Sequence, residues 1–187
     1  MLLEQTAEKL ITAEELATWS PEASRGELIE GEFFAMSPAG QMHGQIAATI
    51  LVILGQFVRQ QGIGKVYAAE TGFILKRNPD TVRAPDVAFV VKERAARQAQ
   101  MAGFFDGPPD LAVEVISPSE TWSEIEGKLL DYLSTGVQEV WIVYPTIQSI
   151  TIYRSLTDAR TLTLNDTLDC EHLLPGFSVP VKEIFAF

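Results

Sequence analysis

Basic residues are scarce in this 187-residue chain: 14 lysines and arginines stand against 25 acidic side chains, for a formal charge of −11. A protein that coats DNA without regard to sequence needs a positive surface, so this balance speaks against that class. Cysteine is rarer still. The single Cys170 excludes an internal disulfide framework and a cysteine-rich zinc site. Long apolar runs are also missing. The longest, Ile46 to Leu54, is broken only by Thr49 and falls far short of the roughly 20 residues of a membrane span. The first ten residues lack the basic-then-apolar order of a signal peptide. No repeat, low-complexity tract or long Pro/Gly-rich linker divides the chain. With 47% hydrophobic and 21% charged residues, the composition is that of a single globular domain over 1–187, expected in the cytoplasm and away from membranes.

Periodicity supplies the elements. Thr12-Ala-Glu-Glu15 has the spacing of a capping box and predicts a short helix ending before Pro21. Glu27-Leu-Ile-Glu30, Gly31 and Glu32-Phe-Phe-Ala-Met36 predict a hairpin. From Met42 to Gln61, Ile46, Ile50, Ile53, Leu54, Phe57 and Val58 recur at three-to-four spacing, and Gly62 supplies a stop. Three strand-like runs follow, 65–76, 82–91 and 110–117, the last nearly continuously apolar as in a strand covered on both faces. Ser123-Glu-Ile-Glu126 predicts the start of another helix, which stops at Gly136. A buried strand over 137–144 comes next, then shorter strands over 149–154 and 160–164. The expected fold is α/β, with one mixed central sheet flanked by helices and an N-terminal helix and hairpin extension.

Two carboxylates stand out against this background. Glu114 lies between Val113 and Val115 in the most apolar strand. There it would lose hydration worth several kcal/mol unless paired, protonated or bound to a cation, although a solvent-facing sheet edge would remove the problem. Asp86 follows Pro85, which cannot donate to a strand ladder and suggests a strand start or bend. Hard oxygen donors on neighbouring strands, without a Cys or His cluster, suit Mg²⁺ or Mn²⁺ rather than zinc. Chemistry on a phosphoryl group also needs a cation nearby. Lys128 is the sole basic residue between Arg97 and Arg154, in the first turns of the helix after the Glu114 strand. An ordinary helix salt bridge to Glu124 or Asp131 is the competing reading.

Several stretches resemble the bacterial Uma-two family of restriction-endonuclease-like proteins, within the PD-(D/E)XK nuclease superfamily. They are Arg83-Ala-Pro-Asp-Val87, Pro109-Asp-Leu-Ala-Val-Glu-Val-Ile-Ser-Pro-Ser119, Lys128, Tyr132, Gly136-Val137 and Glu139-Val-Trp-Ile-Val-Tyr-Pro145, with Glu27-Leu-Ile-Glu-Gly-Glu32, His43 and Leu174-Pro-Gly-Phe-Ser178. The resemblance implies a metal-dependent endonuclease acting on DNA, with Asp86 and Glu114 holding Mg²⁺ or Mn²⁺ and Lys128 in the role of the superfamily lysine. That lysine stands two residues after the acid elsewhere in the superfamily; here that position is Ile116. An inert binding or assembly module on the same fold is the alternative. His43, which matches a family histidine, and Glu30 and Glu70 are the accessory candidates. His43 could equally cap its helix, and Glu30 could simply be solvated.

The resemblance further implies a homodimer, since restriction-type folds commonly address two strands with two sites. Phe33-Phe34 and Ile184-Phe-Ala-Phe187 are candidate interface patches or core. Between Lys76 and Arg97, six basic residues face three acidic ones, a local +3 that leaves −14 for the rest of the chain. That segment flanks Asp86 and is where a phosphate backbone is expected to approach.

Overall fold

The computed structural model describes residues 10–20, 22–98 and 102–186. A capping box formed by Thr12 and Glu15 starts helix α1 (Ala13–Ala17), and the expected hairpin follows as β1 (Gly26–Ile29) and β2 (Glu32–Ala35). Helix α2 (Gln41–Gln61) ends at Gly62 with φ +66, a left-handed conformation that glycine adopts without a Cβ penalty. By length and composition α2 could cross a membrane, with a mean hydropathy of 1.3 in its most apolar window. Here its Ile46, Ile50, Leu54 and Val58 stripe is buried in the core.

The run expected as one strand over 65–76 is two, β3 (Gly64–Ala68) and β4 (Phe73–Lys76), broken at Glu70 with φ +68. Likewise 82–91 divides into β5 (Thr81–Arg83) and β6 (Val87–Val91). Pro85 accounts for the second break, because it cannot donate a ladder bond. The two halves of each run enter different sheets, so the single central sheet expected from sequence is corrected to two. After α3 (Lys92–Gln98) and β7 (Phe105–Asp106), β8 (Leu111–Val115) carries Glu114. Helix α4 (Trp122–Thr135) starts two residues earlier than expected, because the capping box belongs to Thr121 and Glu124. The remaining elements are β9 (Glu139–Tyr144), β10 (Ser149–Tyr153), β11 (Ala159–Leu162), β12 (Thr167–Asp169), β13 (Ser178–Pro180) and α5 (Val181–Ile184).

One sheet runs β11-β10-β9-β8-β6-β3 and the other β2-β1-β5-β4-β7, with β12-β13 as a separate ribbon. Only β8 and β9 are parallel within the larger sheet, as their connection through α4 requires. Strand alternation sorts β8 between two cores. Leu111, Val113 and Val115 face α2, while Ala112 faces the cluster that contains Ile125, Leu129 and Tyr132 of α4. Phe73 and Leu75 of β4 join that second cluster, so α4 packs against both sheets. A third cluster, built on Ala13, Leu16, Leu28, Ile74 and Val82, seats α1 on the smaller sheet. Ile184 and Phe185 are buried in the main core rather than forming an outer patch, and Phe187 lies outside the described residues.

Candidate functional site

The alternation that buries Val113 and Val115 against α2 turns Glu114 to the α4 side, where it is 3% exposed. Both its oxygens are engaged from α4. Lys128 Nζ donates to Oε2 at 2.9 Å, and Tyr132 Oη donates to Oε1 at 2.6 Å. Residues 128 and 132 are one helical turn apart, so one face of α4 holds the whole carboxylate. The competing reading, a helix salt bridge to Glu124 or Asp131, gives way to this pair and to Glu120, whose Oε1 accepts from Lys128 Nζ at 2.9 Å. Glu120 is itself held by the Ser117 N–H, which donates to Oε2 at 2.7 Å.

Asp86 sits in the break before β6, where the Ala84-Pro85-Asp86 segment leaves one sheet for the other. The Val115 N–H donates to its Oδ2 at 2.7 Å, tying it to the residue directly after Glu114. His43 Nε2 is 2.9 Å from Oδ1. His43 reaches there from the first turn of α2, so Asp86 collects a partner from the α2 layer while Glu114 collects its partners from the α4 layer. His43 Nδ1 is buried without a hydrogen-bond partner among the described residues.

The electrostatics follow from burial and crowding. Burial pushes the Glu114 carboxyl up to about 7; the Lys128 charge opposes this, and the Asp86 and Glu27 charges add to it. Lys128 is raised above its ordinary value, since the attraction of Glu114, Glu27 and Glu120 exceeds the cost of burying the ammonium. Burial and the Glu114 charge raise the Tyr132 hydroxyl far out of the physiological range. The hydrogen bond to Asp86 raises His43, against burial and with help from the Asp86, Glu120 and Glu114 charges.

Sequence reasoning missed Glu27. It is 5% exposed on β1, three residues before the Glu30 expected as an accessory group. Glu27 Oε2 accepts from Arg83 Nη1 at 2.7 Å, and its Oε1 accepts the Ala84 N–H at 3.0 Å, so it anchors the segment leading to Asp86. Arg83 also binds Asp131 Oδ2 through Nε and Nη2 at 2.9 and 2.6 Å, and Lys76 Nζ donates to Asp131 Oδ1 at 2.7 Å. Strand alternation held the signal: Leu28 turns to the α1 core, which sends Glu27 to the opposite face. Glu30 is exposed at the hairpin turn with φ +50. Glu70, also at a positive-φ turn, forms an exposed ion pair with Arg25 at 2.7 Å. Neither belongs to the cluster.

The basic segment 76–97 also reads differently in three dimensions. Lys76 and Arg83 are spent on Asp131 and Glu27, Arg77 on Glu14 and Asp80, and Arg94 on Asp110. Four of the six basic residues are therefore drawn into ion pairs, Arg83 inside the fold and Lys76 and Arg77 at its surface, while Lys92 and Arg97 stay exposed on α3.

The donors at Asp86 and Glu114 fit a hard divalent cation. Each of the four carboxylate oxygens accepts one protein hydrogen bond there and retains further lone-pair capacity. One or two carboxylates are what Mg²⁺ ordinarily takes from a protein.

Comparison with known proteins agrees with this architecture. The Uma2 family profile, described as "Putative restriction endonuclease", matches residues 13–182. A crystal structure described as "a putative nuclease belonging to DUF820", from Anabaena variabilis, superimposes with a TM-score of 0.79 at 20% identity, covering 94% of this chain and 97% of that one. At that identity the likeness shows the fold, which is restriction-endonuclease-like. No curated protein matches the chain.

Proposed function

The chain belongs to the Uma2 family, and from that membership and the cluster above we propose that it is a metal-dependent nuclease hydrolysing phosphodiester bonds of DNA. One observation carries the reading: Lys128 Nζ rests 2.9 Å from Glu114 while Asp86 is bound to the next residue of the same strand. Glu114 and Lys128 are thus in contact, and Asp86 is tied to the adjoining backbone, where β8 ends and β6 begins.

Asp86 and Glu114 would hold Mg²⁺ or Mn²⁺. Such an ion, when bound, polarises a phosphate oxygen and lowers the pKa of a water. The protein's own groups do the rest. Lys128 presents a fixed positive charge where negative charge develops on the phosphoryl oxygens, and Glu120 keeps it from swinging away. Tyr132 holds Glu114 Oε1, and the Val115 N–H holds Asp86 Oδ2, so neither carboxylate needs to reorganise on binding. His43 fixes Asp86 Oδ1 and leaves its buried Nδ1 free to bond a water or a substrate oxygen. Glu27 and Arg83 position the chain on either side of Pro85. A homodimer would present two such sites to the two strands of a duplex.

The largely ion-paired 76–97 segment favours a second reading, an inert module that retains the nuclease fold. Cleavage of supercoiled, linear and single-stranded DNA with Mn²⁺ separates the two. The nuclease reading requires activity in the wild type and its loss in both Asp86→Ala and Lys128→Ala. Absence of cleavage on all substrates, or equal activity in the three proteins, favours the inert module.

A further inference from the structure

At the opposite end of the same two strands lies a second cluster that the proposed chemistry does not use. Glu139 pairs with Leu111 on the first rung of the β8–β9 ladder, whereas Val115 and Val143 form the last. Glu139 and Cys170 are fully buried, and His172 is exposed; one ligand atom from each lies within 4.8 Å of the others. His172 Nδ1 is 3.7 Å from Glu139 Oε2. That is too long for a hydrogen bond and close to the edge of a tetrahedron about a metal with bonds of roughly 2.0–2.3 Å. Glu139 is already oriented: Trp141 Nε1 donates to its Oε1 at 2.6 Å, leaving Oε2 on the side of His172 Nδ1. Such a bond from behind is how proteins aim a ligating carboxylate.

We propose that Glu139, Cys170 and His172 form a binding site for a borderline divalent metal of the zinc class, with water as the fourth ligand. A thiolate, an imidazole and a carboxylate are donors zinc accepts and magnesium does not favour, so this site and the Asp86–Glu114 pair select different ions. The charges balance. Without metal, Arg154 Nε donates to Glu139 Oε2 at 2.9 Å, and Cys170 is a fully buried thiol beside that carboxylate. On binding, one divalent ion replaces two single positive charges: the Cys170 proton is released to solvent, and the Arg154 guanidinium moves out. Arg154 can do so because 43% of its side chain is already exposed. The ion would staple the connection between β12 and β13, which Cys170 begins, to the start of β9.

The test uses tag-free, metal-stripped protein titrated with Zn²⁺ and, as a spectroscopic probe, Co²⁺. One equivalent should bind, with a thiolate-to-cobalt charge-transfer band and release of a proton. Cys170→Ser should abolish the band, and His172→Ala, at an exposed position, should weaken Zn²⁺ binding at least tenfold. Arg154→Gln should tighten binding by removing the competing cation, and Asp86→Asn should leave it unchanged. A Co²⁺ complex without the thiolate band, or Zn²⁺ affinity unaltered in His172→Ala, would overturn the proposal.

Discussion

Lys128 Nζ meets Glu114 Oε2 at 2.9 Å although the two residues belong to different elements, a helix and the strand before it. In the related pattern the lysine stands two residues after the acid on the same strand, a position that is Ile116 here. Ile116, directly after β8, packs against the apolar cluster under α4. The space beside Glu114 is therefore filled by a charge delivered from α4. Lys128→Ala should lower DNA cleavage by about 100-fold while leaving Mn²⁺ affinity equal or higher, because a competing cation is lost. Single-turnover plasmid cleavage and Mn²⁺ titration measure the two effects. Lys128→Arg should not restore the rate, since a planar guanidinium cannot take the place of an ammonium wedged between two carboxylates.

Cleavage should rise with pH through a midpoint near 7, because burial holds Glu114 partly protonated below it. Added Mn²⁺ should move that midpoint to lower pH, since a bound cation favours the ionised form. The sign for stability is opposite. A carboxyl raised from 4.5 to about 7 in the folded state contributes stability that is complete below pH 4.5 and is lost as pH rises to about 7. Urea denaturation from pH 4 to 8 should show this loss in the metal-free wild type, and Glu114→Gln should lack it.

His43 should titrate above the usual histidine range in an NMR pH series, and Asp86→Asn should bring it down. Its ion pair with Asp86 then stabilises the fold fully below pH 6.5, and that contribution fades as pH rises through the elevated value. A stability difference between wild type and His43→Gln that grows at higher pH would contradict this.

Arg83 is 5% exposed and joins Glu27 to Asp131. Arg83→Met leaves buried Glu27 without its cation and Asp131 with Lys76 alone, and should cost about 3–5 kcal/mol in equilibrium unfolding. Glu27→Gln should lower cleavage as well as stability, because it loosens the segment that carries Asp86. Glu30→Gln and Glu70→Gln, at exposed turns, should leave cleavage within about twofold, consistent with surface substitutions of small effect.

The residues of the cluster differ in how far local pattern could locate them. A glutamate inside Leu-Ala-Val-Glu-Val-Ile is anomalous by itself, and a proline before Asp86 marks a break, so both acids are legible from their neighbours. Helix periodicity likewise shows that 128 and 132 share a face. Glu27 is different: alternation puts it on the face opposite Leu28, but what covers that face is settled only once Leu28 is paired with Val82 and Arg83 is brought alongside. The charges of 76–97 mislead for a related reason, because their partners Glu14, Glu27, Asp110 and Asp131 come from distant segments.

By itself the sequence determined the long helices, the buried strands over 110–117 and 137–144 and the two anomalous acids, since each follows from a period of 2 or 3.6 or from one residue out of place among its neighbours. Only the tertiary structure decided that there are two sheets, that α4 packs against both, and which carboxylate faces which cation. The scarcity of basic residues had the same outcome. Its sign could be counted along the chain, but long-range pairing consumes most of the positive charge near Asp86, leaving Lys128 to face Glu114.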